Sequence, residues 1–128
     1  MAAHVRQRHV LEVARDSAFT QHSLSEDVTD LLNLSTTGEM YSETRLLSVD
    51  GDTTIQMLGI ARCQFLYIRP DQDIQFRVGG ADTQIGIAQD RAFIFNFPSA
   101  AVGANVIQFN LQRKAGVATY VQIHAVGV

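Results

Sequence analysis

Residues 63–78 read CQFLYIRPDQDIQFRV, and the pattern of this stretch decides the fold. From Cys63 to Ile68 the chain is apolar at positions of both parities, as in a central strand covered on two faces. After Arg69-Pro70-Asp71, residues Ile74, Phe76 and Val78 alternate with Gln75 and Arg77, the signature of a strand with one wet face. Pro70 presets φ at the second position of a tight turn, and Asp71 and Asp73 are placed to accept hydrogen bonds from turn amides. The stretch therefore predicts a core hairpin. Phe65, Tyr67, Ile74, Phe76 and Val78 are expected to hold the sheets together, and the turn Arg69–Asp73 is left for contact.

The same texture extends on both sides. Upstream, Thr44 to Val49 ends at the turn signal Asp50-Gly51-Asp52, and Thr54 to Leu58 follows as its expected partner. Downstream, Gly79-Gly80-Ala81-Asp82 leads into a strand at Gln84 to Ile87. In Ala92 to Phe97, residues Phe93, Phe95 and Phe97 share a face opposite Ile94. Pro98 ends that strand, and Ser99 to Asn105 reads as a small-residue loop. A closing hairpin is expected from Val106–Leu111 and Val117–Val126, with Ile107, Phe109, Leu111, Thr119, Val121 and Ile123 facing inward.

Toward the N-terminus the pattern loosens. Residues 1–8 read as a flexible or partner-bound arm, in which His4, Arg6 and Arg8 could meet an acidic neighbour or a phosphate backbone, or simply fray. His9, Leu11 and Val13 then alternate as a first strand, and Ala18 to Leu24 reads as an edge strand. Residues 26–33 fit two readings. Val28, Leu31 and Leu32 have helical spacing behind acids in the first turn, whereas Val28, Asp30, Leu32 and Leu34 alternate.

Eight to ten short strands at this spacing, with no low-complexity tract or linker, predict an all-β fold: a single β-sandwich of jelly-roll kind over residues 9–128, with at most one short helix near 26–33. The 128 residues suffice for one core, and 46% hydrophobic against 18% charged is a globular balance. The formal net charge of −3 gives no bulk attraction to nucleic acid. Nine arginines against the single Lys114 lean toward protein interfaces, where arginine forks are enriched. No run approaches the roughly 20 apolar residues of a membrane helix, and the N-terminus does not read as a secretion signal, so the expectation is a protein made in a cytoplasm.

Chemistry leaves few traces. Cys63 is the sole cysteine, so neither an internal disulfide nor a thiolate zinc cluster is expected. His4, His9, His22 and His124 lack metal-ligand spacing, and Ser17, Ser23, Ser48 and Ser99 lack a nucleophile-elbow context. Asp50, Asp52, Asp71 and Asp73 occur in pairs within turns and read as capping carboxylates, since one pair falls short of the six to eight oxygens calcium takes. Gly79-Gly80 precedes a strand, so it is not a phosphate-binding fingerprint. No catalytic residue, metal ligand or cofactor is expected.

Four segments carry a resemblance: Phe65-Leu66-Tyr67-Ile68-Arg69, Ile74-Gln75-Phe76-Arg77-Val78-Gly79-Gly80, Ala92-Phe93-Ile94-Phe95-Asn96 and Ala118 to Gly127. Over about residues 60–128 the chain resembles the small all-β virion structural proteins of tailed bacteriophages, in texture and without an invariant motif. The resemblance implies a capsid cement or decoration protein, or a tail or baseplate component, assembled in the host cytoplasm. It also implies a homo-oligomer, with a homotrimer favoured, and the major capsid protein as a further partner. Interface residues expected on that basis are Val5, Arg6 and Arg8 of the arm, Pro98, Ser99 and Val102 of the loop, and Tyr120 and Gln122 on the last strand. A carbohydrate- or receptor-binding module is the alternative from another class.

Overall fold

The computed structural model describes residues 3–34, 39–78, 84–96 and 108–127, and all of their regular structure is strand. In chain order the strands are β1 (Ala3–Ala14), β2 (His22–Leu34), β3 (Glu39–Leu47), β4 (Thr53–Gln56), β5 (Cys63–Pro70), β6 (Ile74–Val78), β7 (Ile85–Ile87), β8 (Phe93–Asn96), β9 (Gln108–Arg113) and β10 (Thr119–Gly127). The chain divides into two compact units, His4–Asn33 and the part from Leu34 onward.

The first unit is a two-stranded sheet of β1 and β2. Asp16 closes its turn. The carboxylate accepts from the Thr20 hydroxyl at 2.5 Å and from the Thr20 and Gln21 amides at 2.8–3.1 Å, and these bonds, the hydroxyl foremost, hold it below the ordinary carboxylate range. Arg8 and Asp27 then pair across the strands at 2.6 Å. This unit corrects two expectations, at 18–24 and 26–33. Residues 3–8, expected as a flexible or partner-bound arm, lie in β1, and the compact units divide at 33/34. The predicted strand at 18–24 is turn as far as Gln21. Residues 26–33 are strand, so the helical alternative fails there. A helix that short is marginal by itself, whereas alternation lets β2 hydrogen-bond along the length of β1.

Among the described residues the second unit contains eight strands in two four-stranded sheets, β3-β10-β5-β8 and β4-β9-β6-β7, with every neighbouring pair antiparallel. They pack face to face as the expected β-sandwich. Leu47, Leu66, Ile68, Val121 and Ile123 of the first sheet meet Ile55, Ile74, Phe76, Phe109 and Leu111 of the second in one buried cluster. Phe76 bridges the sheets, its ring 5.6 Å from Phe93, 5.4 Å from Phe95 and 5.4 Å from Phe109. Cys63 is buried, its thiol pushed up to about 11 by burial, and behaves as a small hydrophobe.

The connections differ from the sequence reading. β3 and β4, β5 and β6, and β9 and β10 were each expected as hairpins, yet each pair is split between the two sheets. The turns are sheet-to-sheet corners. A turn signal specifies reversal of the chain, and the next strand may then return beside its predecessor or cross to the facing sheet. Inward and outward also swap in β5. Its register with β10 shifts between Val126 and Gly127, so Cys63, Leu66 and Ile68 face the shared core, while Phe65, itself buried, and half-buried Tyr67 lie on the opposite side of the strand. One extra residue at a bulge moves every later side chain to the other face. The inward set expected of β6, β8, β9 and β10 is found at Ile74, Phe76, Val78, Phe93, Phe95, Phe109, Leu111, Thr119, Val121 and Ile123, with Phe97 and Ile107 outside the described residues.

Candidate interaction surface

Four of the sheet-switching corners are joined to one another by aspartates. Asp50, between β3 and β4, accepts at Oδ1 from the Gly116 amide at 2.9 Å and from Arg113 Nε at 3.1 Å, which ties its corner to the one between β9 and β10. Those donors, the Gly116 amide first, hold the Asp50 carboxyl below its ordinary range. Asp71, between β5 and β6, accepts from the Tyr120 amide at 2.9 Å. Asp73 accepts from the Gln89 amide at 2.7 Å, and the Asp90 amide donates to the Pro70 carbonyl at 2.8 Å, bringing in the corner between β7 and β8. The carboxylates thus cap corners as expected, but they reach neighbouring corners rather than the amides of their own. Among the described residues no three His, Cys, Asp or Glu side chains gather as metal ligands.

Beside these corners lies the outer face of the first sheet. The antiparallel registers set its side chains in rows: Leu46 beside Tyr120; Thr44, Gln122 and Arg69; Ser42, His124, Tyr67 and Ile94. Tyr120 and Gln122, both expected at an interface, are exposed here on one strand. With Thr44, Arg69, Pro70, Asp71 and Asp90 they line a hollow of about 230 Å³, so the Arg69–Asp73 turn singled out for contact and the exposed strand form one patch. Large apolar side chains are exposed on the same face: Met40, Leu46, Ile94 and Tyr120 at 38–58%.

His124 is the polar centre of this face. Its Nδ1 lies 2.8 Å from Ser42 Oγ, and its ring packs 5.6 Å from Tyr67. Sequence reading missed Ser42, because a partner 82 positions away is visible only through the β3–β10 register. A serine–histidine contact alone does not make a nucleophile. That chemistry also needs a group orienting the imidazole and donors for a developing oxyanion, and no such group is joined to the pair among the described residues.

On the outer face of the second sheet, Asp73, Gln75, Gln84, Gln112 and Lys114 border a groove of about 660 Å³. Gly86 forms part of its floor, where an added Cβ would meet nothing within 4 Å.

The other expected interface residues divide in two. Val5, Arg6 and Arg8 lie on β1 in the hairpin unit, where Arg8 is committed to Asp27. Pro98, Ser99 and Val102 lie outside the described residues. Comparison with models of known families, with curated proteins and with solved structures returned no match.

Proposed function

We propose that this chain is a non-enzymatic structural protein of a bacteriophage virion, most simply a cement or decoration subunit that works through protein contacts. The observation carrying this reading is the hairpin unit. Thirty residues, His4–Asn33, are spent on a two-stranded sheet that leaves Val10, Leu11, Val13, Phe19 and Leu24 exposed at 38–62%. A sheet of two strands is marginal in water without a third strand or a cover, so such a unit serves a chain that receives its remaining contacts from a neighbour.

The winding of the sandwich supports the same reading. Counted from β3 as the first of eight, the sheets run 1-8-3-6 and 2-7-4-5, and we read this winding as that of a jelly roll. That architecture is frequent in viral shells, and it agrees with the resemblance over residues 60–128. Individual contacts on a particle need only be modest, since attachment at several sites raises the effective concentration of each.

The test is mass spectrometry of purified particles combined with occupancy of a variant lacking residues 4–33. A particle that carries the full chain and loses the truncated one is the expected result. Absence of the chain from every particle overturns the proposal.

A second reading, a glycan- or receptor-binding module, draws on the amide-rich groove above Gly86. Gly86→Tyr would set a ring in that groove from a position where an added Cβ meets nothing within 4 Å, so glycan binding lost in this variant would favour it over the structural role.

A further inference from the structure

Edges of β-sheets invite pairing, and the two units of this chain treat theirs in opposite ways. The sandwich has four edge strands, β3, β8, β4 and β7. β4 and β7 are only four and three residues long, and β8 is described over Phe93–Asn96. The fourth, β3, spans nine residues but turns Tyr41, Glu43 and Arg45 to its half-buried side, where Glu43 pairs with Arg45 and accepts from the Tyr41 hydroxyl. Short edges and inward-pointing charges are devices that block strand addition.

The hairpin has neither device. β1 and β2 run 12 and 13 residues, so each presents an edge of roughly 40 Å. Among the described residues no strand pairs with the outer edge of either. The face of the hairpin opposite the Arg8–Asp27 pair is mixed: alternation sets Val5, Leu11 and Val13 of β1 there with Gln7 and His9, and Leu24 of β2 there with Glu26.

Charge selects the occupant. β1 carries Arg6 and Arg8 against Glu12, with His4 and His9 beside them, while β2 carries Glu26, Asp27 and Asp30 and no arginine or lysine. Pairing β1 with the β1 of a second copy brings four arginines together with two acids, and pairing β2 with β2 brings only acids together. Pairing β1 with the β2 of a second copy repeats between chains the attraction already seen between Arg8 and Asp27.

We infer that hairpins of identical chains pair edge to edge, β1 of one copy against β2 of the next, and close into a ring. In an antiparallel meander of hairpins this alternation continues without reversing any strand. A head-to-tail contact of this type uses both edges of every copy once the rotation closes, and leaves no edge to propagate a fibre. The inference rests on the assembly reading and names its first partner, a second copy of the chain, together with the strands that meet.

The experiment uses the full chain, with light scattering after size-exclusion chromatography and hydrogen exchange at several concentrations. A single closed oligomer is expected, with amides of both β1 and β2 protected only in the assembled state. Arg6→Glu with Arg8→Glu should raise the concentration at which the oligomer dissociates by about tenfold. Adding Asp27→Arg to that variant should restore it, and the thermal unfolding of the sandwich should not change in either. A full chain that stays monomeric at every concentration, or cross-links joining β1 to a second β1 or the hairpin to β3, overturns the ring. A monomer that still decorates particles would sink the ring and keep the virion role; a ring found on no particle would do the reverse.

Discussion

Asp71 and Tyr120 hold each other by two hydrogen bonds. The Tyr120 amide donates to Asp71 Oδ1 at 2.9 Å, and the Asp71 amide donates to the Tyr120 carbonyl at 3.0 Å. The residues stand 49 positions apart, and the pair locks the corner between β5 and β6 to the start of β10. It thereby sets the height of Tyr120 and Gln122 above the outer face. Asp71→Ala removes the side-chain half of this clasp and leaves the Tyr120 amide to water. A loss of about 1 kcal/mol in urea unfolding is expected. A larger effect is expected in any assay that reads contact through Tyr120.

Asp50 makes the acid limb of stability specific. Its carboxyl is held below the ordinary value by the Gly116 amide and then by Arg113. Stability from a depressed carboxylate is complete above the unfolded value of about 3.9 and is lost as pH falls through the folded one. Melting temperatures followed downward from about pH 6 should therefore fall more steeply below about pH 4 in the parent than in Asp50→Asn. Equal slopes would show that Asp50 does not hold its corner in solution.

Phe76 is the side chain that both sheets share. It is 1% exposed and packs on Phe93, Phe95 and Phe109. Phe76→Ala is expected to cost about 3–5 kcal/mol in denaturant unfolding, from lost burial plus the cavity left behind. Tyr67→Ala, on the same predicted hairpin but facing outward, should cost markedly less, which checks the parity found in β5.

Glu43 and Arg45 keep β3 from recruiting strands. Both face inward on an edge, where Arg45 holds the Glu43 carboxyl below its ordinary range. Glu43→Val combined with Arg45→Val should leave the sandwich folded by circular dichroism but make it self-associate by light scattering. A double variant that stays as soluble as the parent would mean that the β3 edge is protected in some other way.

Strand content was legible in the sequence because alternation is local: Ile74, Phe76 and Val78, or Val121 and Ile123, reveal a one-sided strand from spacing alone. That aspartates would stand in the turns was legible from local turn chemistry, but their partners, 16 to 66 positions away, were not. Residues 26–33 were not, since Val28, Leu31 and Leu32 fit a helix as well as Val28, Leu32 and Leu34 fit a strand, and only pairing with β1 decides. The Ser42–His124 contact and the patch around Tyr120 depend on registers between distant strands, and nothing local encodes them.

By itself, then, the sequence determined that the chain is all-β, where most strands fall, and which residues of β6, β8, β9 and β10 face inward. Tertiary structure decided that the strongest turn signals are corners between sheets, that Leu66 and Ile68 rather than Tyr67 enter the cluster between the sheets, and that residues 4–33 form a unit of their own. The physical reason is the same in each case. Period and turn chemistry describe a chain's relation to itself over a few residues. Which strand lies next to which is settled by burying one shared core between two sheets.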